Sequence, residues 1–271
     1  MRKRILSAIV LLPLFLVILL LLPKIVATVL FAVMAVVAAY ELMFKTGLVK
    51  QFRLLVYGMI MAFYVGIWSG LWGTYPMAML GVFVFACLTF GELLISRGQT
   101  PFNEIAVAFV GGVLVPYLIT APVRLLSWSM GRYLVLIPFV IAFLSDSGAY
   151  FAGLAFGKHK LAPKISPKKT IEGLFGGILA AVGGMALYCY ILRSAFHLNA
   201  NYTNSLIYGS LGSLGAVFGD LCFSAIKRQA EIKDYSNLIP GHGGVLDRFD
   251  SVVVVAILIE VLTLLIPLVV R

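Results

Sequence analysis

Apolar segments long enough to cross a bilayer recur along the whole chain, and they constrain its fold more than any other feature. Each is close to the roughly 20 residues that a membrane-spanning helix requires. The mean hydropathy of +1.05 is far above that of a soluble domain of 271 residues. The sequence therefore predicts an all-α polytopic membrane protein with about nine transmembrane helices. The predicted spans are residues 5–22, 25–44, 54–72, 76–95, 105–126, 133–156, 171–192, 204–230 and 251–270.

The positions of the basic residues predict the orientation of the chain. If the N-terminus is cytoplasmic, 16 of the 21 Lys and Arg residues fall in inner segments and five in outer ones. Cytoplasmic loops carry such an excess in membrane proteins. We therefore expect a multi-pass protein of the cell inner membrane with its N-terminus in the cytoplasm and its C-terminus outside. Because the loops account for the net charge of +10, no nucleic-acid partner is expected.

The first five predicted spans carry few ionisable groups. Glu41, Glu92 and Glu104 lie at predicted span ends, where we expect solvated or interfacial carboxylates. Residues 1–130 are therefore interpreted as scaffold, lipid contact or the surface of a homodimer, and the sequence does not choose among these. Residues 131–271 are interpreted as a catalytic bundle with a polar site facing the cytoplasm. Its spans carry glycines at four-residue spacing, which allow close helix approach in lipid. These pairs are Gly153 with Gly157, Gly173 with Gly177, and Gly215 with Gly219.

The most informative acidic residue is Asp220, which lies inside an apolar, glycine-rich run. An Asp at the centre of a membrane helix costs about 2.5 to 3.5 kcal/mol on translocon scales, so such residues usually mark functional sites. At about 100° per residue, Ser224, Lys227 and Glu231 lie on the same helical stripe as Asp220. The sequence therefore predicts a polar stripe that runs from inside the bilayer to its surface.

Two further acidic residues, Asp247 and Asp250, open the last predicted span at i and i+3 and share a helix face. An alternative role for this pair is to stabilise the helix dipole, worth about 0.3 to 1 kcal/mol. The loop of residues 233–244, between the last two predicted spans, contains Pro240 and three glycines, which supply backbone freedom and exposed amides.

The sixth predicted span contributes Asp146, and the basic loop of residues 157–170 follows it. Asp146 is either part of a site or a hydrogen-bonded interhelical residue, and the loop lysines either bind a ligand or only retain the loop in the cytoplasm. Ser166 and Pro167 resemble an N-cap followed by proline at the first helical position. We therefore expect Lys168 and Lys169 in the first turn of the seventh span, where their amides can also face an anion.

Carboxylates from three predicted helices can converge on one hard cation. Magnesium fits, because it accepts one or two carboxylates and completes its shell with water and phosphates. The three cysteines lie in apolar runs without CxxC spacing, and no His or Cys cluster favours zinc. A cation beside many Lys and Arg residues suits nucleotidyl transfer, although a cation transporter or channel is an alternative. The metal-ligand candidates are Asp146, Asp220, Asp247 and Asp250, with room for a second cation.

Two stretches carry a resemblance to a known family. The run SAIKRQAEIKDYSNLIPGHGGVLDRFD, residues 224–250, resembles the signature of the phosphatidate cytidylyltransferase (CDP-diacylglycerol synthase) family, and ISPKKTIEG, residues 165–173, is also similar to that family. We call residues 224–250 the signature segment. The signature positions present here are Ser224, Lys227, Arg228, Lys233, Asp234, Pro240, His242, Gly243, Gly244, Asp247, Arg248 and Asp250. The DG-x2-AR signature of the CDP-alcohol phosphotransferases is absent from the sequence.

The resemblance implies a magnesium-dependent reaction in phospholipid biosynthesis, in which CTP and phosphatidate give CDP-diacylglycerol and pyrophosphate. Since a phosphate monoester is largely dianionic at neutral pH, phosphatidate needs no strong protein base. His242 has two open roles, phosphate binding or loop packing. The catalytic candidates are Asp220, Lys227, Arg228, His242, Asp247, Arg248 and Asp250. The substrate-binding candidates are Ser166, Lys168, Lys169, Ser224, Lys233, Asp234, Gly243 and Gly244.

Overall fold

Helices make up most of the structure, a computed structural model that describes residues 13–72, 74–238 and 243–270. Contacts between residues divide the chain into two units. The first unit comprises Met1–Trp128 and Lys227–Phe249, and the second comprises Ser129–Ile226 and Asp250–Arg271. The predicted division into a scaffold and a catalytic part concerns the roles of these segments, and it stays a prediction.

In the part of the first unit that the structure describes, three helical segments contain a π-helical turn. Residues 13–20 are helical. Helix α1 (Lys24–Tyr40) continues as the π turn Glu41–Lys45, and α2 (Phe52–Ile67) continues as the π turn Trp68–Trp72. Helix α3 spans Tyr75–Ile95. There follow α4 (Phe102–Phe109), the π turn Val110–Leu114, α5 (Val115–Ile119) and α6 (Ala121–Leu126).

Small residues allow the helices of the first unit to pack closely. A Cβ atom added to Gly66 would lie 2.6 Å from the Cβ of Ala32, and one added to Gly70 would overlap Thr28. Ala32 and Thr28 are fully buried in α1. Close backbone approach of this kind supplies the van der Waals contact that drives helix association in lipid.

Three acidic residues of the first unit contradict the expectation of solvated or interfacial carboxylates. Glu41, Glu92 and Glu104 are only 1%, 2% and 8% exposed. Glu104 accepts hydrogen bonds from the backbone N–H groups of Lys50 and Gln51 (2.9 and 3.0 Å). Glu92 accepts from the side chains of Gln51 (2.7 Å) and Arg53 (3.3 Å). These carboxylates can be buried because donors from distant parts of the chain satisfy them.

The second unit contains long helices and two short antiparallel strand pairs. It begins with α7 (Gly131–Leu134) and α8 (Ile137–Phe156). Strands β1 (Lys160–Ala162) and β2 (Ser166–Thr170) form a hairpin that pairs Lys160 with Thr170 and leads into α9 (Ile171–Ser194). After β3 (Asn199–Ala200) come α10 (Tyr202–Gln229), α11 (Leu246–Leu265) and β4 (Val269–Val270), which pairs with β3. The C-terminal end of α10 and the N-terminal end of α11 belong to the first unit.

Glycine faces bring the helices of the second unit together, which confirms the predicted close approach. A Cβ atom on Gly177 of α9 would lie 2.8 Å from the carbonyl oxygen of Ser145 in α8. A Cβ atom on Gly219 of α10 would overlap the carbonyl oxygen of Asp250 in α11. Larger residues at these positions would therefore separate the helices that carry the predicted site residues.

Within the residues that the structure describes, seven helical segments are long and apolar enough to cross a membrane. They confirm a multi-pass, mainly helical membrane protein. The predicted first span begins in residues 1–12, which lie outside the described residues. The last predicted span corresponds to α11, which is not among the seven. The count of nine and the orientation of the termini stay predictions.

Candidate active site

The polar centre of the second unit is a cavity of about 440 Å³. It brings together Asp146 from α8, Lys168 and Lys169 from β2, and Asp220 from α10. Its remaining walls are apolar or small, so charged groups and hydrocarbon face the same space. These remaining lining residues are Ala149, Tyr150, Gly153, Leu154, Leu161, Thr170, Gly173, Leu174 and Val217. The cavity therefore offers contacts to both a phosphate and the apolar part of a lipid.

Asp220 and Lys169 form an ion pair in this cavity. The Nζ atom of Lys169 lies 2.5 Å from Oδ2 of Asp220, and the two side chains are 23% and 25% exposed. The hydroxyl of Ser224 donates to Oδ1 of Asp220 at 3.0 Å. Hydrogen bonds to an ionised carboxylate are among the stronger ones. The side chain of Asp220 is therefore bound by both an ammonium group and a hydroxyl.

Lys168 and Lys169 reach the cavity from a strand, and the prediction of an N-cap at Ser166 is wrong. Ser166 and Lys168 lie in β2, and the helix begins at Ile171, four residues after Pro167, the predicted first helical position. The side chain of Thr170 is the N-cap and accepts from the N–H of Gly173 at 3.1 Å. Pairing with β1 keeps residues 166–170 extended, so the amides of Lys168 and Lys169 do not form the start of a helix.

Contacts between Glu172 and His159 also connect this hairpin to α9. The carboxylate of Glu172 lies 2.7 Å from Nδ1 of His159 and also accepts from the N–H of His159 at 3.2 Å. The N–H of Ile171 donates to the carbonyl of His159 at 2.9 Å. These contacts determine where β2 joins α9 and hence where Lys169 stands. The sequence alone does not reveal the pairing of His159 with Glu172, because it depends on the register of the hairpin.

In the first unit, Asp247 is the centre of a second cluster. Its side chain is 3% exposed, and Oδ1 accepts from Nζ of Lys227 at 2.8 Å. Oδ2 accepts from the N–H groups of Tyr235 (2.8 Å) and Gly244 (2.9 Å). The Lys227 ammonium also lies 5.4 Å from the centre of the Tyr235 ring. Asp247 therefore organises the turn that precedes α11, and its role as a metal ligand stays a prediction.

The other candidates occupy different environments. Arg228, Lys233, Asp234 and Arg248 are exposed. Gly243 has φ of +86°, which favours glycine, and its position would bring an added Cβ within 3.0 Å of Asp247 Oδ2. Oδ1 of Asp250 accepts from the N–H of Ser251 at 2.8 Å. His242 lies outside the described residues.

The bounds of α10 and α11 test the predicted polar stripe and the predicted start of the last helix. Helix α11 begins at Leu246, which confirms that Asp247 and Asp250 lie in its first turns. Helix α10 carries Asp220, Ser224 and Lys227, but it ends at Gln229. Glu231 has φ of +55° and lies beyond the helix, so the prediction that it belongs to the helical stripe is wrong.

The donor set of the cavity fits magnesium. Asp146 and Asp220 supply carboxylate oxygens, and magnesium is commonly bound through one or two carboxylates plus water and phosphate. Among residues 13–72, 74–238 and 243–270, no three His, Cys, Asp or Glu side chains form a group suited to a metal ion. A site built from these residues therefore needs oxygen atoms from water or substrate.

In the comparison with known proteins, residues 2–266 match the profile of the cytidylyltransferase family. The chain belongs to that family. It is therefore an enzyme of the nucleotidyltransferase class.

Three bacterial proteins named phosphatidate cytidylyltransferase are similar to part of this chain. A phosphatidate cytidylyltransferase of Haemophilus influenzae is 45% identical over 121 residues, which is 45% of this chain and 42% of the relative. One of Staphylococcus epidermidis is 35% identical over 187 residues, or 67% of this chain and 68% of the relative. One of Bacillus subtilis is 47% identical over 116 residues, or 41% and 40%. The matched region thus spans between about two fifths and two thirds of these relatives.

Proposed function

We propose that this protein is a phosphatidate cytidylyltransferase, which converts CTP and phosphatidate into CDP-diacylglycerol and pyrophosphate. One observation carries the proposal: in a cytidylyltransferase family member, two carboxylates and two lysines share a cavity with apolar walls. A soluble nucleotide substrate needs only the polar part of such a cavity. A lipid phosphate needs both parts, because its headgroup is anionic and its tails are apolar. The names of the relatives support the same substrate pair.

In the proposed reaction, a phosphate oxygen of phosphatidate attacks the α-phosphorus of CTP. The new P–O bond forms as the bond between the α-phosphorus and the bridging oxygen of the β-phosphate breaks, and pyrophosphate leaves. The negative charge on the reacting groups has to be neutralised, and positioning and electrostatics supply most of the catalysis. Lys168 and Lys169 are assigned to the phosphate of phosphatidate, because the cavity that they line also contains apolar side chains. Lys227, Arg228 and Arg248 are assigned to the phosphates of CTP.

Asp146 and Asp220 are proposed to hold the cation. That Asp247 and Asp250 are metal ligands is a separate proposal, which rests on the signature segment. Magnesium bound there would supply positive charge that offsets the negative charge on the α-phosphate and on the leaving pyrophosphate. Lys169 neutralises Asp220 in the structure, and its ammonium is available to a phosphate once that carboxylate has another cationic partner. We also propose that the site faces the cytoplasm, because the basic loops surround it in sequence.

The proposal is tested with purified protein in liposomes that contain phosphatidate. We expect radiolabelled CDP-diacylglycerol to form from CTP when magnesium is added and no product in the presence of EDTA. Ion flux across the same liposomes is measured in parallel. Magnesium-dependent ion flux without product would overturn the proposal in favour of a cation transporter.

A further inference from the structure

The buried carboxylate of Glu41 lies beside the signature segment, although almost two hundred residues separate them in the sequence. Glu41 is 1% exposed and belongs to the π turn that ends the α1 segment. The hydroxyl of Ser236 donates to its Oε1 atom at 2.6 Å. The N–H of Val245 donates to Oε1 at 3.0 Å, and the N–H of Leu246 donates to Oε2 at 2.9 Å. Both carboxylate oxygens are therefore committed to the signature segment.

These contacts place Glu41 at the N-terminus of α11. The first N–H groups of a helix have no partner within the helix and need one from elsewhere. A carboxylate at this end also interacts favourably with the helix dipole. Since Gly244 N–H donates to Asp247, the three successive amides of residues 244–246 are all bound by carboxylates. Asp247 holds the first of them, and Glu41 holds the second and third.

The fit between Glu41 and the turn is tight. A Cβ atom added to Gly244 would lie 2.7 Å from Cδ and Oε2 of Glu41, and closer still to Oε1. Gly244 is buried and its φ is not positive. Its lack of a side chain is therefore required by the approach of Glu41 and not by its own backbone conformation. π-helical turns frequently occur at functional sites, and this one carries the residue that reaches the turn.

We propose that Glu41 is a positioning residue of the active site, which holds residues 244–246 and thereby sets the start of α11 that carries Asp247 and Arg248. The consequence for catalysis rests on the proposed function. Glu41 itself touches no substrate in this scheme. Its role is to fix the backbone from which the signature side chains project.

The test compares Glu41→Gln with Glu104→Gln. Both positions are buried in the first unit, and both carboxylates accept hydrogen bonds from two backbone amides, but Glu104 binds those of Lys50 and Gln51. Glutamine keeps the size of the side chain, yet its amide nitrogen cannot accept from a backbone N–H. The matched pair therefore separates a general cost of neutralising a buried carboxylate from an effect on the signature segment.

Two measurements are made on the full-length variants in detergent. We expect Glu41→Gln to accelerate hydrogen exchange at the amides of residues 245 and 246 by roughly tenfold or more, and Glu104→Gln to leave them unchanged. We expect kcat for CDP-diacylglycerol formation to fall by at least about tenfold in Glu41→Gln, with KM for CTP changing far less, and to stay near wild type in Glu104→Gln. Unchanged exchange at residues 245 and 246, or an unchanged kcat in Glu41→Gln, overturns the proposal.

A second pair of variants tests the contact between Glu41 and Gly244 by changing Gly244. Gly244→Ala should lower kcat with Glu41 intact, because the new methyl group meets the carboxylate. In a Glu41→Ala background the same substitution should cause little additional loss, and equal losses in both backgrounds would refute the contact. The exchange measurement does not depend on the reaction. A wild-type protein that forms no product therefore refutes the proposed function, while the exchange result still decides the role of Glu41 in the fold.

Discussion

The pair formed by Lys169 and Asp220 permits a quantitative test of how the cavity is built. Replacing Asp220 with Asn removes the negative charge 2.5 Å from the ammonium of Lys169 and weakens the hydrogen bond from Ser224. Exposed ion pairs contribute about 0.2 to 1 kcal/mol, and breaking a fully buried pair costs about 3 to 5 kcal/mol. Since both side chains are about one quarter exposed, we expect Asp220→Asn to lower the unfolding free energy by about 1 to 3 kcal/mol.

A double-mutant cycle separates this stability effect from catalysis. Unfolding in mixed micelles is measured for wild type, Asp220→Asn, Lys169→Gln and the double variant, with Glu231→Gln as an exposed control carboxylate. We expect a coupling of about 1 to 2 kcal/mol, so that the double variant loses less stability than the sum of the losses in the two single variants. Product formation should fall at least about a hundredfold in Asp220→Asn and should not recover in the double variant. A coupling below about 0.5 kcal/mol would refute the ion pair, and near-normal turnover with unchanged magnesium dependence would refute the catalytic role of Asp220.

Three further predictions follow from the site and the topology. Asp247→Asn should abolish CDP-diacylglycerol synthesis, because a neutral amide cannot serve Lys227 and two backbone amides together; a folded variant with full turnover and the wild-type magnesium titration would contradict this. Gln at Lys168 and Lys169 should raise KM for phosphatidate about tenfold or more, whereas Gln at Lys227 should raise KM for CTP; the opposite pattern in paired titrations would invert the assignment. In a variant without Cys87, Cys189 and Cys222, a cysteine at position 164 should resist an impermeant thiol reagent applied to intact cells, and labelling from outside would overturn the topology.

Several features of this protein follow from short-range properties of the sequence. Apolar runs of spanning length predict membrane helices because every backbone amide in a bilayer needs a partner within the chain. The spacing of Gly215 and Gly219 predicts a close helix contact, and the structure places Gly219 directly against Asp250. The signature segment predicted the family because it contains many polar residues at fixed spacing, which chance agreement does not produce.

Other features depend on pairings that the sequence does not reveal. Ser166 and Pro167 have the local preferences of a helix start, but pairing between β1 and β2 keeps them extended and moves the N-cap to Thr170. Glu41 lies at the end of an apolar run and suggests an interfacial carboxylate. Its burial is stabilised by donors from Ser236, Val245 and Leu246, which are close only after folding. Composition and periodicity thus predicted the membrane helices, and the signature segment predicted the family. Tertiary structure decided which carboxylates are buried, because burial depends on donors that come from distant parts of the chain.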